Sequence, residues 1–248
     1  MNNWRFWPIF RFISLYFISP LLKKPTLDKD ELSNYRPISN LSLLSKIIER
    51  VVKARLSDHL TSNNLLNPQQ YAYCKHHSTE TALLYIHDHR INAIGSCQIS
   101  CICLLDLSAA FDTIDHNVLL TRLSSWFGIQ GTTLNWSCLS SRCFRVKCNN
   151  NLPSLQTCLC GVPQCSVLGF LLFVMYTNPF STFISSMSLN HHLYADDTQL
   201  FLSFYPSEFH SNITHLQNAL QQIFSWMTAK LMTLNSSKTA FLLIGFKQ

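Results

Sequence analysis

The chain has 248 residues, 47% of them hydrophobic and only 13% charged, a composition that excludes a disordered chain and favours a folded protein. This length allows one large domain or two small ones, and the net charge of +6 permits a polyanionic partner without requiring one. The ten cysteines contain no C-x2-C pair, so we interpret them as reduced thiols rather than as zinc ligands.

The first 22 residues are apolar and look at first like an anchoring segment. However, Pro8, Arg11 and Pro20 interrupt the run, whereas a membrane span needs about 20 apolar residues without charge. We therefore expect no membrane segment, and we interpret residues 1–17 as an atypical start to the chain. A membrane protein remains the alternative interpretation of this segment.

Two helices are predicted in the part of the chain that follows. Residues 41–60 place apolar side chains at three- and four-residue spacing, which predicts an amphipathic helix with a basic outer face. A second helix is predicted over residues 78–89, with Ser78 at its N-cap. The basic residues of this region either line a groove that follows a nucleic-acid backbone or form an ordinary solvated surface. They are Lys23, Lys24, Lys46, Arg50, Lys53 and Arg55.

The second half of the chain alternates strands with helices. Residues 99–105 are almost continuously apolar and are followed by Asp106, which predicts a strand buried on both faces. Residues 193–204 contain two apolar segments around an Ala-Asp-Asp triplet, a pattern typical of a tight hairpin. A helix at 213–231 and a strand at 239–246 complete the order. We therefore predict an α+β fold with a central sheet of three or four strands backed by helices.

Three carboxylates are the candidate catalytic groups: Asp106 after the buried strand, and Asp196 and Asp197 in the hairpin turn. Two charges about 4 Å apart repel by about 4 kcal/mol at an effective dielectric near 20, so such a cluster requires cations. Mg²⁺ prefers oxygen ligands, and two ions about 3.5–4 Å apart can support nucleotidyl transfer. Because side chains alternate along a strand, we expect Asp106 and Asp196 to be primary ligands and Asp197 a secondary one.

Six sequence segments resemble the reverse transcriptases of LINE-type non-LTR retrotransposons, in that family's order and spacing. The two that carry the carboxylates are LLDLSAAFDTIDH and LYADDTQLFLSF, and GVPQCSVLGFLLF between them is similar to the family's GVPQGSVLGPLLF. The upstream segments are NYRPISNLSLLSKIIERVV and NPQQYAYCKHHSTETALL, and the downstream segment is LNSSKTAFLLIG. The resemblance covers about residues 18–245, so the chain is identified as a member of this family.

The resemblance implies a right-hand polymerase fold, with fingers over residues 1–95, a palm over 96–248, and no thumb because the chain ends soon after the lysine-bearing strand. It implies an RNA-directed DNA polymerase that adds deoxynucleotides to a DNA primer on an RNA template. Two Mg²⁺ ions, which Mn²⁺ could replace, are the implied cofactor. The expected location is inside the cell, in the nucleus or the cytoplasm.

The family pattern also implies roles for individual residues. Asp106, Asp196 and Asp197 match its metal-binding aspartates, and Phe111 matches the aromatic residue that excludes the 2′-hydroxyl of a ribonucleotide. Lys238 matches a lysine near the departing pyrophosphate, where a positive charge eases the loss of the leaving group. Without the match to the family motifs, Phe111 would be interpreted as a core aromatic residue and Lys238 as a solvated lysine.

Further matches lie in the predicted fingers and in the loop between the two carboxylate segments. Gln164 matches a residue that lies against the template and the incoming nucleotide. Arg36 matches an arginine suited to bidentate phosphate contact, although a structural salt bridge is an equal alternative. Cys74 stands where the family usually has another arginine, so Lys75 becomes the substitute phosphate contact.

Two further departures fall beside the nucleotide site: Cys165 stands where the family pattern has glycine, and Phe170 where it has proline. If that glycine is needed for a positive φ, a side chain there costs about 1–2 kcal/mol. We therefore keep an alternative function open, a catalytically inactive retroelement remnant that at most binds nucleic acid or protein. Metal binding by the aspartates separates the two hypotheses.

Overall fold

The computed structural model describes residues 15–72, 77–131, 134, 143–147 and 154–245. The chain divides into two compact units, each made of two separate stretches of sequence. The first unit comprises the described residues of Met1–Leu65 and Ile114–Phe173, and the second those of Leu66–Thr113 and Val174–Gln248. Each unit is described below by itself.

The chain contains both helices and strands, and most of the strand pairs are antiparallel, in agreement with the predicted α+β fold. The strands are β1 (Leu15–Leu22), β2 (Tyr35–Asn40), β3 (Ile99–Ser108), β4 (Cys143–Val146), β5 (Gln156–Thr157), β6 (Asn190–Tyr194), β7 (Asp197–Phe204), β8 (Thr233–Leu234) and β9 (Ala240–Ile244). The α-helices are α1 (Leu43–Ser62), α2 (Thr79–Gly95), α3 (His116–Ser125), α4 (Gly169–Ser186) and α5 (Phe209–Ala229). Short 3-10 helices lie at Leu32–Asn34 and Pro206–Glu208.

The first unit contains a four-stranded sheet in the order β2-β1-β4-β5. Strand β1 is antiparallel to β2 and parallel to β4, so it lies inside the sheet although it comes from the apolar start of the chain. Within this strand the side chain of Tyr16 is buried. Among the residues that the structure describes, no helix is long and apolar enough to cross a membrane.

Helix α1 forms where the spacing predicted a helix, but its faces differ from the prediction. Its N-cap is Ser42, whose side chain accepts a hydrogen bond from Ser45 N. Arg50 and Arg55 are exposed, as the expected basic outer face requires. The expected apolar inner face is wrong, because several apolar side chains of this helix are exposed while Ser45 and Glu49 are buried. The buried Glu49 carboxylate accepts a hydrogen bond from Val167 N at 2.8 Å, which explains why a charged residue occupies the inner face. The exposed apolar residues are Leu43, Leu44, Ile47 and Val51.

The second unit is built on a five-stranded sheet, larger than the expected three or four strands. Its order is β6-β7-β3-β8, and β9 also pairs with β3. Both β8 and β9 lie antiparallel to β3, with β8 opposite Leu107 and Ser108 and β9 opposite the segment 100–104. The number was underestimated because a two-residue strand such as β8 leaves no periodic pattern in a sequence.

The helices of the second unit largely follow their sequence signals. Ser78 caps α2 and forms a capping box with Thr81, and the helix continues past the predicted end at 89 to Gly95. Helix α4 is apolar on all sides, and most of its side chains are buried, as expected of a core helix. Helix α5 buries one stripe, as its spacing predicted. This stripe is Leu216, Ala219, Ile223 and Met227.

Candidate active site

Two of the three candidate carboxylates lie directly opposite each other in the sheet of the second unit. Strands β3 and β7 are antiparallel, and their register pairs Asp106 with Asp197. Asp196 precedes Asp197 in the turn that joins β6 to β7. The hairpin formed by β6, this turn and β7, called the carboxylate hairpin below, was predicted from sequence and is confirmed. Antiparallel pairing therefore gathers all three side chains at one end of the sheet.

The charges of these carboxylates interact. The pKa of Asp197 is raised above its ordinary value by partial desolvation and by the negative charges of Asp196 and Asp106, while Lys238 opposes the rise. Like charges on neighbouring carboxylates make ionisation of the last group more costly. A cation at this position would relieve the repulsion. The prediction that Asp196 is a primary ligand and Asp197 a secondary one stays a prediction, although the register places Asp197 opposite Asp106.

Asp106 is held by two side chains from the segment between β8 and β9. Lys238 Nζ lies 3.0 Å from Asp106 Oδ2, and Asn235 Nδ2 donates a hydrogen bond of 3.0 Å to the same oxygen. Asn235 also donates its backbone N–H to Asp106 O at 2.8 Å. The Lys238 side chain is 65% exposed and that of Asp106 only 13%, so the lysine can move while the aspartate is anchored. Sequence reasoning missed Asn235, although it lies in the same segment as Lys238.

Phe111 also belongs to the second unit. It lies in the turn after β3, where Asp112 donates its N–H to Ala109 O at 2.8 Å. Ala109 has a φ of 50°, in the left-handed region that closes this turn. The Phe111 side chain is half-buried. The turn places Phe111 five residues beyond Asp106, at the same end of the sheet as the carboxylates.

Gln164 lies in the first unit, in a loop of residues 163–169 that is called the Gln164 loop below. Its backbone oxygen accepts a hydrogen bond from Ser39 N at 3.3 Å. The loop ends where Ser166 Oγ accepts from Gly169 N at 2.7 Å. Cys165 has a φ of 71°, so the position where the family pattern has glycine is one that requires a left-handed backbone. The condition of that expectation, a positive φ at this residue, is therefore met, and the cost of a side chain there stays a prediction.

The remaining predicted residues are spread over the first unit or fall outside the described residues. Arg36 is exposed in β2, opposite Leu21 of β1. Phe170 is the second residue of α4 and is half-buried. Lys75 and Cys74 lie outside the residues that the structure describes. The structure therefore gathers Asp106, Asp196, Asp197, Lys238 and Phe111 in one unit, and Arg36, Gln164 and Phe170 in the other.

The carboxylates at the hairpin fit an ion such as Mg²⁺, which needs few protein ligands, better than a metal ion that is enclosed by protein ligands alone. Among the described residues, no group of three or more His, Cys, Asp and Glu side chains is arranged to hold one metal ion. Mg²⁺ is usually held by one or two carboxylates, with waters and substrate phosphates completing its shell. The pair Asp106 and Asp197 offers the two carboxylates that such a site needs.

Comparison with known proteins points to one family. The sequence matches the family model for "Reverse transcriptase (RNA-dependent DNA polymerase)" over residues 22–247. It is 31% identical over 157 residues to the probable RNA-directed DNA polymerase from transposon BS of Drosophila melanogaster, which covers 63% of this chain and 17% of that protein. It is 28% identical over 190 residues to the polymerase from the mobile element jockey of the same species, covering 75% and 20%. The chain thus spans about a fifth of the length of these relatives.

Solved structures share the fold. Apo telomerase from Candida tropicalis, truncated from its C-terminal domain, superposes with a TM-score of 0.67 at 13% identity, covering 94% of this chain and 51% of that one. Telomerase from Candida albicans, solved with a TWJ fragment of telomeric RNA, gives a TM-score of 0.60 at 12% identity, covering 98% and 43%. At these identities the likeness concerns the fold alone, and it confirms the predicted palm-and-fingers architecture.

Proposed function

Because this chain belongs to the reverse transcriptase (RNA-dependent DNA polymerase) family, we propose that it is part of a retrotransposon polymerase that copies RNA into DNA. Its similarity to the polymerases of jockey, BS and X-element confirms the predicted resemblance to LINE-type non-LTR elements. The proposed substrates are an RNA template, a DNA primer and deoxynucleoside triphosphates. The observation that carries the proposal is the cross-strand pair Asp106–Asp197, with Asp196 beside it.

The carboxylates are proposed to bind two Mg²⁺ ions, for which Mn²⁺ can substitute. Reverse transcriptases generally use divalent metal ions. The pKa of Asp197 is raised first by burial and then by the charges of Asp196 and Asp106, and such an ion would relieve that repulsion. Bound metal supplies two effects, acidification of the primer 3′-hydroxyl and neutralisation of charge on the leaving pyrophosphate. Asp106, Asp196 and Asp197 are the proposed ligands.

In the proposed reaction, the primer 3′-oxygen forms a bond to the α-phosphorus while the bond from that phosphorus to the pyrophosphate oxygen breaks. The proton of the 3′-hydroxyl leaves to solvent. Lys238 is proposed to donate a hydrogen bond or a proton to the pyrophosphate, which requires its ammonium group to leave Asp106 Oδ2. Its exposed side chain permits this movement, and Asn235 keeps Asp106 in place when the lysine departs.

The substrate contacts are proposals of the same kind. Phe111 would exclude a 2′-hydroxyl by its bulk, Gln164 would lie against the template and nucleotide, and Arg36 and Lys75 would contact phosphates.

We also propose that the fingers correspond to residues 1–95 and the palm to 96–248. Both compact units draw on each of these two ranges, so the fingers and palm are assigned by the family pattern rather than by compactness.

A second candidate function is a remnant that keeps the fold but not the chemistry. The observation that favours it is the φ of 71° at Cys165, a strained position beside the residue proposed to lie against the nucleotide. Such a remnant at most binds nucleic acid or protein. Divalent metal affinity at the carboxylate hairpin distinguishes an intact polymerase site from a remnant whose site has been lost.

The test is primer extension on an RNA template with Mg²⁺ and deoxynucleotides, together with Mn²⁺ binding measured by electron paramagnetic resonance. Four proteins are compared: the natural chain, Asp106→Asn, Asp58→Asn as a control at an exposed site on α1, and the double variant Cys165→Gly, Phe170→Pro. We expect extension and Mn²⁺ binding in the natural chain and in the Asp58→Asn control. Both extension and Mn²⁺ binding should be lost in Asp106→Asn, because this variant removes a carboxylate proposed as a primary metal ligand.

Two other outcomes decide between the candidates. Extension by the double variant alone would place the defect in the Gln164 loop or at the start of α4, and would favour the remnant for the natural chain. Absence of Mn²⁺ binding in all four proteins would overturn the proposed metal site and with it the polymerase function.

A further inference from the structure

We propose that Gln70 is a positioning residue for the carboxylate hairpin, and that its buried side-chain amide fixes the turn that carries Asp196 and Asp197. This inference rests on the proposed function, since it concerns the spacing of the carboxylates that would bind metal. Gln70 lies in none of the positions that sequence reasoning assigned to the site. It is only 1% exposed, and it belongs to the same unit as the hairpin.

The Gln70 side chain contacts the turn directly. Its Oε1 accepts a hydrogen bond of 3.2 Å from Ala195 N, the residue immediately before Asp196. The same oxygen accepts a second hydrogen bond of 3.1 Å from Ala72 N. One buried carbonyl oxygen thus joins its own chain segment to the turn of the hairpin. Buried amide hydrogen bonds of this kind are costly to break, because the groups left behind are out of reach of water.

The main chain around Gln70 brings the side chain to the turn. Tyr71 N donates to Leu193 O and Leu193 N donates to Gln69 O, each at 2.9 Å, so residues 69–71 lie along the last part of β6. Gln70 and Leu193 form a parallel bridge between these segments. Because these bonds use only backbone atoms, substitution of the Gln70 side chain leaves them available. A side-chain variant can therefore test the contact to the turn without removing the support of β6.

Ala195 needs such a contact because its backbone is strained. Its φ is 56°, in the left-handed region that residues with a Cβ atom rarely adopt. Strained residues persist where surrounding structure determines their conformation. The hydrogen bond from Ala195 N to Gln70 favours the observed turn over relaxed alternatives. A relaxed turn would change the direction in which Asp196 and Asp197 leave the hairpin, and thus their spacing from Asp106.

The experiment compares the full chain with Gln70→Met and with Gln69→Met as a matched control. Methionine fills a similar volume but lacks the acceptor. Gln69 is the neighbouring residue, and its Oε1 is buried without a hydrogen-bond partner among the described residues. Hydrogen exchange is followed by nuclear magnetic resonance on chains labelled with ¹⁵N-alanine. Ala72 and Ala195 report on the two bonds to Gln70, and the buried Ala93 in α2 is the internal reference.

We expect the Ala72 and Ala195 amides to exchange about tenfold faster in Gln70→Met, with Ala93 unchanged. Mn²⁺ affinity of the same protein should fall by about tenfold, the usual scale for a residue that supports metal ligands. Gln69→Met should match the natural chain in both measurements. In an Ala195→Gly background the turn is no longer strained, so the effect of Gln70→Met on Mn²⁺ affinity should shrink to less than about threefold.

Unchanged exchange at Ala195 in Gln70→Met would overturn the inference, as would an equal loss of Mn²⁺ affinity in Gln69→Met. The two measurements also separate this inference from the proposed function. If the natural chain binds no Mn²⁺, the metal site fails. Faster exchange at Ala195 would then still support Gln70 as the residue that holds the turn.

Discussion

The carboxylate hairpin and the Gln164 loop each contain a residue other than glycine in a left-handed backbone conformation, but their surroundings differ. In the hairpin, Ala195 has a φ of 56° and donates its N–H to the buried Gln70. In the loop, Cys165 has a φ of 71°, and the residue is exposed at a position where the family pattern has glycine. The strained residue of the hairpin is thus itself held by a buried side chain, whereas in the loop the hydrogen bonds hold the neighbours of Cys165.

The Gln164 loop nevertheless keeps its shape, because hydrogen bonds hold it on both sides of Cys165. Ser39 N donates to Gln164 O at 3.3 Å, and Val167 N donates to the buried Glu49 carboxylate at 2.8 Å. A single unfavourable residue can thus persist in a loop whose neighbours are anchored. A substitution at this position can therefore reduce polymerase activity without unfolding the loop. For this reason metal binding and primer extension must be measured separately.

The largest expected effect is a loss of folding stability at acidic pH, caused by His192 in strand β6 of the carboxylate hairpin. Burial lowers the pKa of His192 from 6.5 to about 4, an effect that His191 and His77 add to and Gln199 opposes. Since the folded-state pKa lies below the unfolded one, the unfolded chain binds the proton first as pH falls. Stability present above pH 6.5 is thus lost as pH falls towards 4. The loss should be about 3 kcal/mol.

Urea unfolding between pH 7 and pH 4.5 checks this prediction. His192→Phe keeps a ring in contact with Tyr71 and Tyr85 and should flatten the pH dependence. His215→Phe, at an exposed site on α5, should retain it. A pH dependence in His192→Phe equal to that of the natural chain would show that the buried imidazole is not its source.

A smaller effect is expected at the end of the Gln164 loop, in Gly169→Ala. A Cβ atom there would lie 2.6 Å from Ser166 Oγ and 3.1 Å from Pro163 O, so the loop must shift. We expect a loss of about 2 kcal/mol in the free energy of unfolding. The matched control is Gly95→Ala at the end of α2, where the added Cβ meets no atom within 4 Å among the described residues, apart from its chain neighbours and the adjacent helix backbone. It should change stability by less than about 1 kcal/mol, and equal losses in both variants would contradict the steric explanation.

The smallest expected effect is a gain in stability from Cys165→Gly. Glycine removes a steric cost of about 1–2 kcal/mol at a left-handed position but adds freedom to the unfolded chain. The net gain should be about 0.5–1 kcal/mol, seen as a higher urea midpoint with an unchanged m-value. Cys165→Ala keeps the Cβ atom and should leave the midpoint unchanged. A gain in Cys165→Ala as large as that in Cys165→Gly would point to the thiol rather than to backbone strain.

Much of the local structure was predictable because it depends on neighbouring residues. The spacing of apolar residues predicted helices α1 and α5, and the Ser78 cap predicted the start of α2. The apolar run before Asp106 predicted β3, although the strand continues to Ser108 because β7 and β8 pair with its last residues. The buried face of α1 was predicted wrongly, because the spacing of apolar residues cannot show that Val167 N donates a hydrogen bond to Glu49 on that face.

The sequence by itself determined the family, several of the helices and strands, and which three carboxylates to propose as the site, since these are carried by short motifs and local periodicity. Only the tertiary structure decided that Asp197 lies opposite Asp106, and that Asn235, Glu49 and Gln70 hold the surrounding segments. Those contacts join residues that are 129, 118 and 125 positions apart along the chain. Strand register and buried hydrogen bonds at such separations arise from packing of the whole unit, and local propensity carries no record of them.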